Sequence, residues 1–154
     1  LIGQGVDMLM QNTDSAAVVQ TAQEKGVHAF GWDSDMSKFG DKAHLAASVI
    51  SWGVYYNKVV EDVLNNQWKN STTWWGLKEG MIDLKSFNAV VPEDVKKLVE
   101  ERKKAIADGS APIWKGPIKD NTGKEQLAKD QVADDKFLHG VKFYVDGVEG
   151  KIPG

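Results

Sequence analysis

Leu9-Met10-Gln11-Asn12-Thr13-Asp14-Ser15 is answered two dozen residues on by Ala29-Phe30-Gly31-Trp32-Asp33-Ser34-Asp35-Met36. Each stretch is a short apolar run that stops abruptly in polar, carboxylate-bearing residues. Between them lies a segment of helical length that ends at Lys25-Gly26. Strand, polar turn, helix, strand, polar turn is the pattern of a βαβ unit. In open α/β sheets a ligand sits outside the carboxyl ends of the strands. Both polar clusters fall at such ends, so the first forty residues predict a binding crevice.

The first strand is read at Val6 to Met10. Thr13 or Asp14 is expected to cap the helix that follows, because a side-chain oxygen there can accept a free first-turn N–H. Ala16, Ala17, Val18, Val19 and Ala22 supply the buried side of that helix, and Gly26 stops it. Val27 to Trp32 is the second strand, Asp33 to Lys42 a polar loop, and Leu45 to Ile50 a third strand. Tyr55 to Asn66 repeats its apolar residues at helical spacing. Trp74 to Leu77 and Met81 to Leu84 read as short extended runs. Pro92 opens a helix whose first turn carries Glu93 and Asp94, matching the positive dipole end, and Asp108-Gly109 closes it.

Further on, Trp114 to Ile118 and Lys124 to Leu127 flank Asp120-Asn121-Thr122-Gly123, a hairpin signal. Lys142 to Val145 reads as one more short strand. The expected organisation is an α/β three-layer αβα lobe with a mostly parallel sheet over residues 1–110. A hairpin and tail follow over 111–154.

Composition narrows the function. The chain has 154 residues, 42% of them apolar and 27% charged, with a formal net charge of −3. That is one globular domain's worth of chain with no basic stripe, so nucleic acid is not an expected partner. Cysteine is absent, which removes disulfides, thiolate metal sites and a cysteine nucleophile. His28, His44 and His139 show no ligand spacing, so no metal or other cofactor is expected. The start, Leu1-Ile2-Gly3-Gln4-Gly5, reads as the end of a helix, which suggests the C-terminal part of a longer protein.

Three groups of residues offer binding chemistry. Gln11, Asn12, Thr13, Asp14 and Ser15 place hydrogen-bonding side chains ahead of a helix whose first N–H groups are free. Asp33 and Asp35 offer ionised acceptors for the hydroxyl or N–H groups of a ligand. Trp32, Trp52, Trp74 and Trp75 offer flat walls, Trp52 being placed between a strand and a helix, while Trp68 and Trp114 read as core. Each group has a plainer use, as helix caps, solvated carboxylates and core aromatics. Asp33-Ser34-Asp35 also fits a D-x-D phosphohydrolase, which would use Asp33 as nucleophile with Mg²⁺, although Ser37 stands where that chemistry favours Thr.

Taken in order, Gln11 to Ser15, Phe30 to Met36, Trp52-Gly53-Val54-Tyr55-Tyr56, Trp75 to Gly80 and Gly116-Pro117-Ile118-Lys119-Asp120 resemble the C-terminal portion of the BMP (basic membrane protein) family of ABC-transporter solute-binding proteins. The resemblance runs through most of the chain. It implies a type I periplasmic-binding-protein-like lobe that closes with an N-terminal lobe over a small solute. It also implies a membrane permease as partner, a periplasmic or extracytoplasmic location with a signal peptide upstream, and no enzymatic activity. A purine base or nucleoside is the ligand it suggests, held by Gln11, Asn12, Asp14, Trp32, Asp33, Asp35, Trp52 and Trp75. The C-terminal hairpin is expected at the hinge or against the first lobe. Asn12 stands where His is expected, Trp32-Asp33 replaces a smaller pair, and Ala46-Ala47 stand where Thr is frequent. An effector lobe of a cytoplasmic regulator shares the implied fold and remains an alternative.

Overall fold

The computed structural model describes residues 1–152, in two units. The first, Leu1–Asp108, is built on a four-stranded mixed sheet. A 3-10 turn at Ile2–Gln4 leads into β1 (Met8–Leu9), α1 (Ala17–Lys25) and β2 (His28–Asp33). A second 3-10 turn at Ser37–Phe39 leads to β3 (His44–Ile50), then α2 (Trp52–Leu64), β4 (Ile82–Lys85) and α3 (Glu93–Ala107). The sheet order is β1-β2-β3-β4. The first three strands run parallel, and β4 runs antiparallel to β3.

The reason for this order is visible in the residues. Gly26 takes the left-handed conformation (φ 67°) and ends α1, with its N–H bonded to the Ala22 and Gln23 carbonyls. The chain then re-enters the sheet beside β1, with Leu9 opposite Ala29. Small residues let layers close tightly: Ala22, Ala29, Ala43, Ala46 and Ala47 are all buried. Leu9, Val19, Ala22, Ala29, Met36 and Ala43 form the central cluster between α1 and the sheet. Gly40 lies so close to α1 that an added Cβ would sit 2.9 Å from a Val19 methyl.

β4 returns along β3 with Ile50 opposite Ile82 and Ala47 opposite Lys85. The excursion between them is pinned at its base, where Ser51 N–H donates to the Met81 carbonyl at 2.7 Å. Lys103 of α3 holds that helix to β4 through Asp83 at 2.6 Å and the Leu84 carbonyl at 3.2 Å. Burial works to raise the Asp83 carboxyl, but Lys103 outweighs it and holds the group below the usual range. Burial likewise works to lower Lys103, and Asp83 with Glu100 more than restores its charge.

The second unit begins at Gly109. It holds the hairpin β5 (Ile118–Lys119) and β6 (Glu125–Leu127), paired antiparallel, and a short helix α4 (Asp135–His139). Asp120 organises the turn: its carboxylate accepts from the Thr122 N–H and hydroxyl, the Lys124 N–H and the Gln126 amide. Those bonds, the Thr122 hydroxyl and Gln126 amide first, hold its pKa down at about 2.

Several expectations shift. β1 spans Met8–Leu9 rather than 6–10. Neither Thr13 nor Asp14 caps α1; Ser15 Oγ accepts from the Ala17 N–H at 3.2 Å, because Thr13 is turned to Gln11. α2 starts at Trp52, three residues earlier than its apolar spacing indicates. Trp74 to Leu77 forms no strand, and Lys142 to Val145 contributes a single bridge, Val145 to Asp120. α4 was not anticipated; Asp134 caps it by accepting the Phe137 N–H at 2.7 Å.

Candidate functional site

The parallel strands aim their carboxyl ends the same way, and β4 begins at that same edge. Asp33, the last residue of β2, pairs with Val49 of β3, so it lies one strand spacing, about 4.8 Å, from the segment that enters α2. Trp52 then opens α2. Ile50, Trp52, Tyr55, Thr73, Trp75, Met81 and Ile82 enclose a cavity of about 320 Å³ at this edge. That lies at the lower end of the volumes that hold small ligands.

Its walls are aromatic and mutually braced. Tyr55 meets Trp75 edge to ring, centroids 5.8 Å apart at 77°. Trp52 stacks on Tyr56 at 6.0 Å and 21°. Trp52 is half exposed, at 50%, so one side of its indole is free to meet a ligand. Two expected residues, Trp52 and Trp75, are thus brought together. Ile50, Tyr55, Thr73, Met81 and Ile82 complete the cavity and were missed as site residues. Tyr55 stands three residues after Trp52, the spacing that puts two helical side chains on one face, and that signal could have found it.

One strand over, the end of β2 is bent. Asp33 has φ 66°, and the Ser34 N–H bonds to the Trp32 carbonyl at 2.8 Å across it. That is a three-residue γ-turn with a non-glycine residue at positive φ, a conformation costing on the order of 1–3 kcal/mol. Such strain persists where surrounding structure holds it, and it gathers at ligand sites. The Asp33 carboxylate has no hydrogen-bond partner among the described residues. Trp32 beside it is partly buried.

Asp35 is used differently. Its carboxylate accepts from the Ser37 N–H at 2.9 Å and the Ser86 hydroxyl at 2.7 Å. These two bonds, the Ser37 N–H first, hold its pKa below the usual carboxylate range. Asp35 therefore fastens the 34–37 turn to the end of β4, 51 residues away in sequence. Under that turn lies His44, fully buried, with neither ring nitrogen hydrogen-bonded. Burial pushes its pKa down, with Asp35 opposing in part.

Gln11 is also engaged by the chain. Its Nε2 donates to the Phe30 carbonyl at 3.0 Å, and its Oε1 accepts from Thr13 at 2.7 Å. It stitches the loop after β1 to β2. Asn12 and Asp14 remain exposed on that loop. A wider hollow of about 830 Å³ lies between the N-terminal turn and α1. Asn12 and Thr13 reach its rim, but Ile2, Leu9, Ala17 and Val18 line it, and no carboxylate or aromatic residue converges there. No group of three or more His, Cys, Asp or Glu side chains suited to a metal occurs among the described residues.

Comparison with known proteins follows the same line. Residues 1–112 match the family model described as Bmp, ABC transporter substrate-binding protein PnrA-like. A purine-binding protein of Brucella abortus is 45% identical over 153 residues, 99% of this chain and 43% of that protein. A putative ABC transporter glucose-binding protein of Haloferax volcanii is 26% identical over 153 residues, 99% of this chain and 37% of that protein. The chain thus spans less than half the length of these curated relatives. Among solved structures, a transcriptional activator of the comK gene from Bacillus halodurans superposes with TM-score 0.67 at 19% identity, covering 71% of this chain and 40% of that one. A solute-binding protein of an ABC transporter system from Conexibacter woesei gives TM-score 0.58 at 18% identity, covering 71% and 38%. These two structures share the α/β fold.

Proposed function

The chain belongs to the Bmp family of ABC transporter substrate-binding proteins, and from that premise we propose that it forms one lobe of a solute-binding protein that captures a purine base or nucleoside. The observation that carries the reading is the aromatic cavity of Trp52, Tyr55 and Trp75 at the carboxyl edge of the sheet, with the unengaged Asp33 carboxylate one strand away at the end of β2. A purine is flat and carries ring and amino N–H donors. Its faces suit indole walls, where an offset stack adds about 0.5–1.5 kcal/mol beyond area burial. Its donors suit an ionised acceptor. The identity with a purine-binding relative supports the same ligand class.

In this reading Trp52 and Trp75 grip the ring, and Asp33 accepts its N–H groups or a ribose hydroxyl. Trp32, Asn12 and Asp14 lie further along the same sheet edge, after β2 and β1. Gln11 and Asp35 hold the two loops that present these groups. A second lobe covers the ligand from the other side, so the ligand selects the closed state through contacts that exist only there. A membrane permease of an ABC importer, met on the extracytoplasmic side, then takes up the solute. The work is capture rather than catalysis. The D-x-D alternative loses its second carboxylate to Ser37 and Ser86.

The test is a thermal-shift screen of the full-length protein against adenine, guanine, their nucleosides, glucose and amino acids. A ligand that binds only the folded state raises the apparent Tm. A purine shift that disappears in Trp52→Ala and Asp33→Ala is expected. A shift with another class alone would sink the purine assignment and leave the family in place.

A further inference from the structure

Past α2 the chain turns back as a strap. Asn66, at φ 55°, reverses its direction, and the Gln67 and Trp68 N–H groups both donate to the Asp62 carbonyl, at 2.7 and 3.1 Å. At the far end Trp75 abuts Tyr55. Between these anchors the strap stands off α2 over a cavity of about 550 Å³. The Tyr55–Trp75 pair, with Thr73, borders both this cavity and the aromatic one.

The chemistry on the two sides of that pair differs. Here the strap supplies the side-chain amides of Gln67 and Asn70 and the hydroxyls of Ser71 and Thr72, none of which bonds to another described residue. Amides and hydroxyls each donate and accept. The floor carries the Lys58–Asp62 ion pair, able to make charge-assisted bonds of both polarities. Trp68, exposed by 52%, presents a flat apolar face at the rim. Dense two-way hydrogen bonding beside flat apolar faces is what a sugar ring needs: its hydroxyls both donate and accept, and its C–H faces are apolar. A purine needs the opposite balance.

We infer that this cavity is a second ligand site, separate from the aromatic one, for a neutral saccharide of one or two pyranose rings. The sugar comes either as a free saccharide or as the sugar portion of a larger solute, and the test separates these sources. Saturation-transfer NMR on the full-length protein is run with glucose, maltose, ribose, adenosine and adenine as separate probes, up to about 10 mM, where weak binding remains detectable. Transfer to glucose or maltose is expected, with apparent affinity at least about fivefold weaker in both Trp68→Ala and Asn70→Ala. Both side chains are exposed, and far-UV circular dichroism checks that each variant folds. Adenine binding at the aromatic site is expected to survive both changes. Transfer to adenosine ribose that weakens in the two variants identifies a nucleoside sugar as the occupant and overturns the pyranose assignment. Transfer that survives both variants, or none with any probe, overturns the site itself. No adenine binding by the unaltered protein would count against the purine reading alone.

Discussion

Replacing Gly31 by alanine tests whether the sheet is closed as tightly under the candidate site as the structure has it. An added Cβ would lie 3.0 Å from Ala47 Cβ, 3.1 Å from His44 Nε2 and 3.2 Å from Met36 Cβ. Carbon atoms rest about 3.5–4.0 Å apart, so each neighbour must yield by roughly half an ångström. None has room to. His44 and Ala47 belong to β3 and are fully buried, and Met36 is nearly so. The turn that carries Met36 is fastened through Asp35 to Ser86. Overpacking of this kind costs about 1–3 kcal/mol, and for a unit of roughly a hundred residues that lowers Tm by about 5–20 °C. Gly53→Ala is the matched control. It lies within α2 with nothing within 4 Å of a built Cβ, so it should stabilise by about 0.4–1 kcal/mol through the unfolded chain. Thermal and urea unfolding followed by circular dichroism read both. A Gly31→Ala protein as stable as the parent, or the same sign for both alanines, would refute the packing described.

Three further outcomes follow from other parts of the molecule. Asp33→Gly relieves the positive φ at the γ-turn and should raise stability by about 1 kcal/mol while weakening purine binding; a variant both less stable and unchanged in binding contradicts the strain and the role together. Lys103→Met strips Asp83 of its partner and should cost about 1.5–3 kcal/mol, read in a double-mutant cycle with Asp83→Asn, and a coupling under about 0.5 kcal/mol would rule the tether out. The folded pKa of Asp120 lies below its unfolded value, so its contribution is complete above about pH 4. It is lost as pH falls through about 2; amide exchange at Thr122 and Lys124 should accelerate over that window, and constant protection there would exclude Asp120 as organiser.

Much of the frame could be read from residues close in sequence. The βαβ start, α3 with Glu93 and Asp94 in its first turn, and the hairpin around Asp120 all rest on local signals, and all are present. β1 came out shorter because Met8 and Leu9 alone find partners on β2. What could not be read was the division of labour among the polar residues. Asp33 and Asp35 look alike in the chain, yet one sits at positive φ without a side-chain partner among the described residues and the other is taken by Ser86, 51 residues on. Gln11 was drawn in by a backbone carbonyl 19 residues away. The aromatic cavity likewise needed the return of β4, since Trp52 and Trp75 line one cavity together with the paired Ile50 and Ile82. α4 escaped notice because a five-residue helix carries almost no periodic signal.

The antiparallel return of β4 also bears on how such a protein diversifies. Everything from Ser51 to Met81 leaves the sheet and comes back at one spot, closed by a single backbone bond. The ladder on either side is spelled by residues outside that stretch. The interval therefore behaves as a cassette: it holds Trp52, Tyr55, Trp75 and the strap, and it can be rewritten, lengthened or exchanged with the strand register left intact. New solute preferences are reachable by splicing at two adjoining points of the backbone, with the scaffold inherited unchanged.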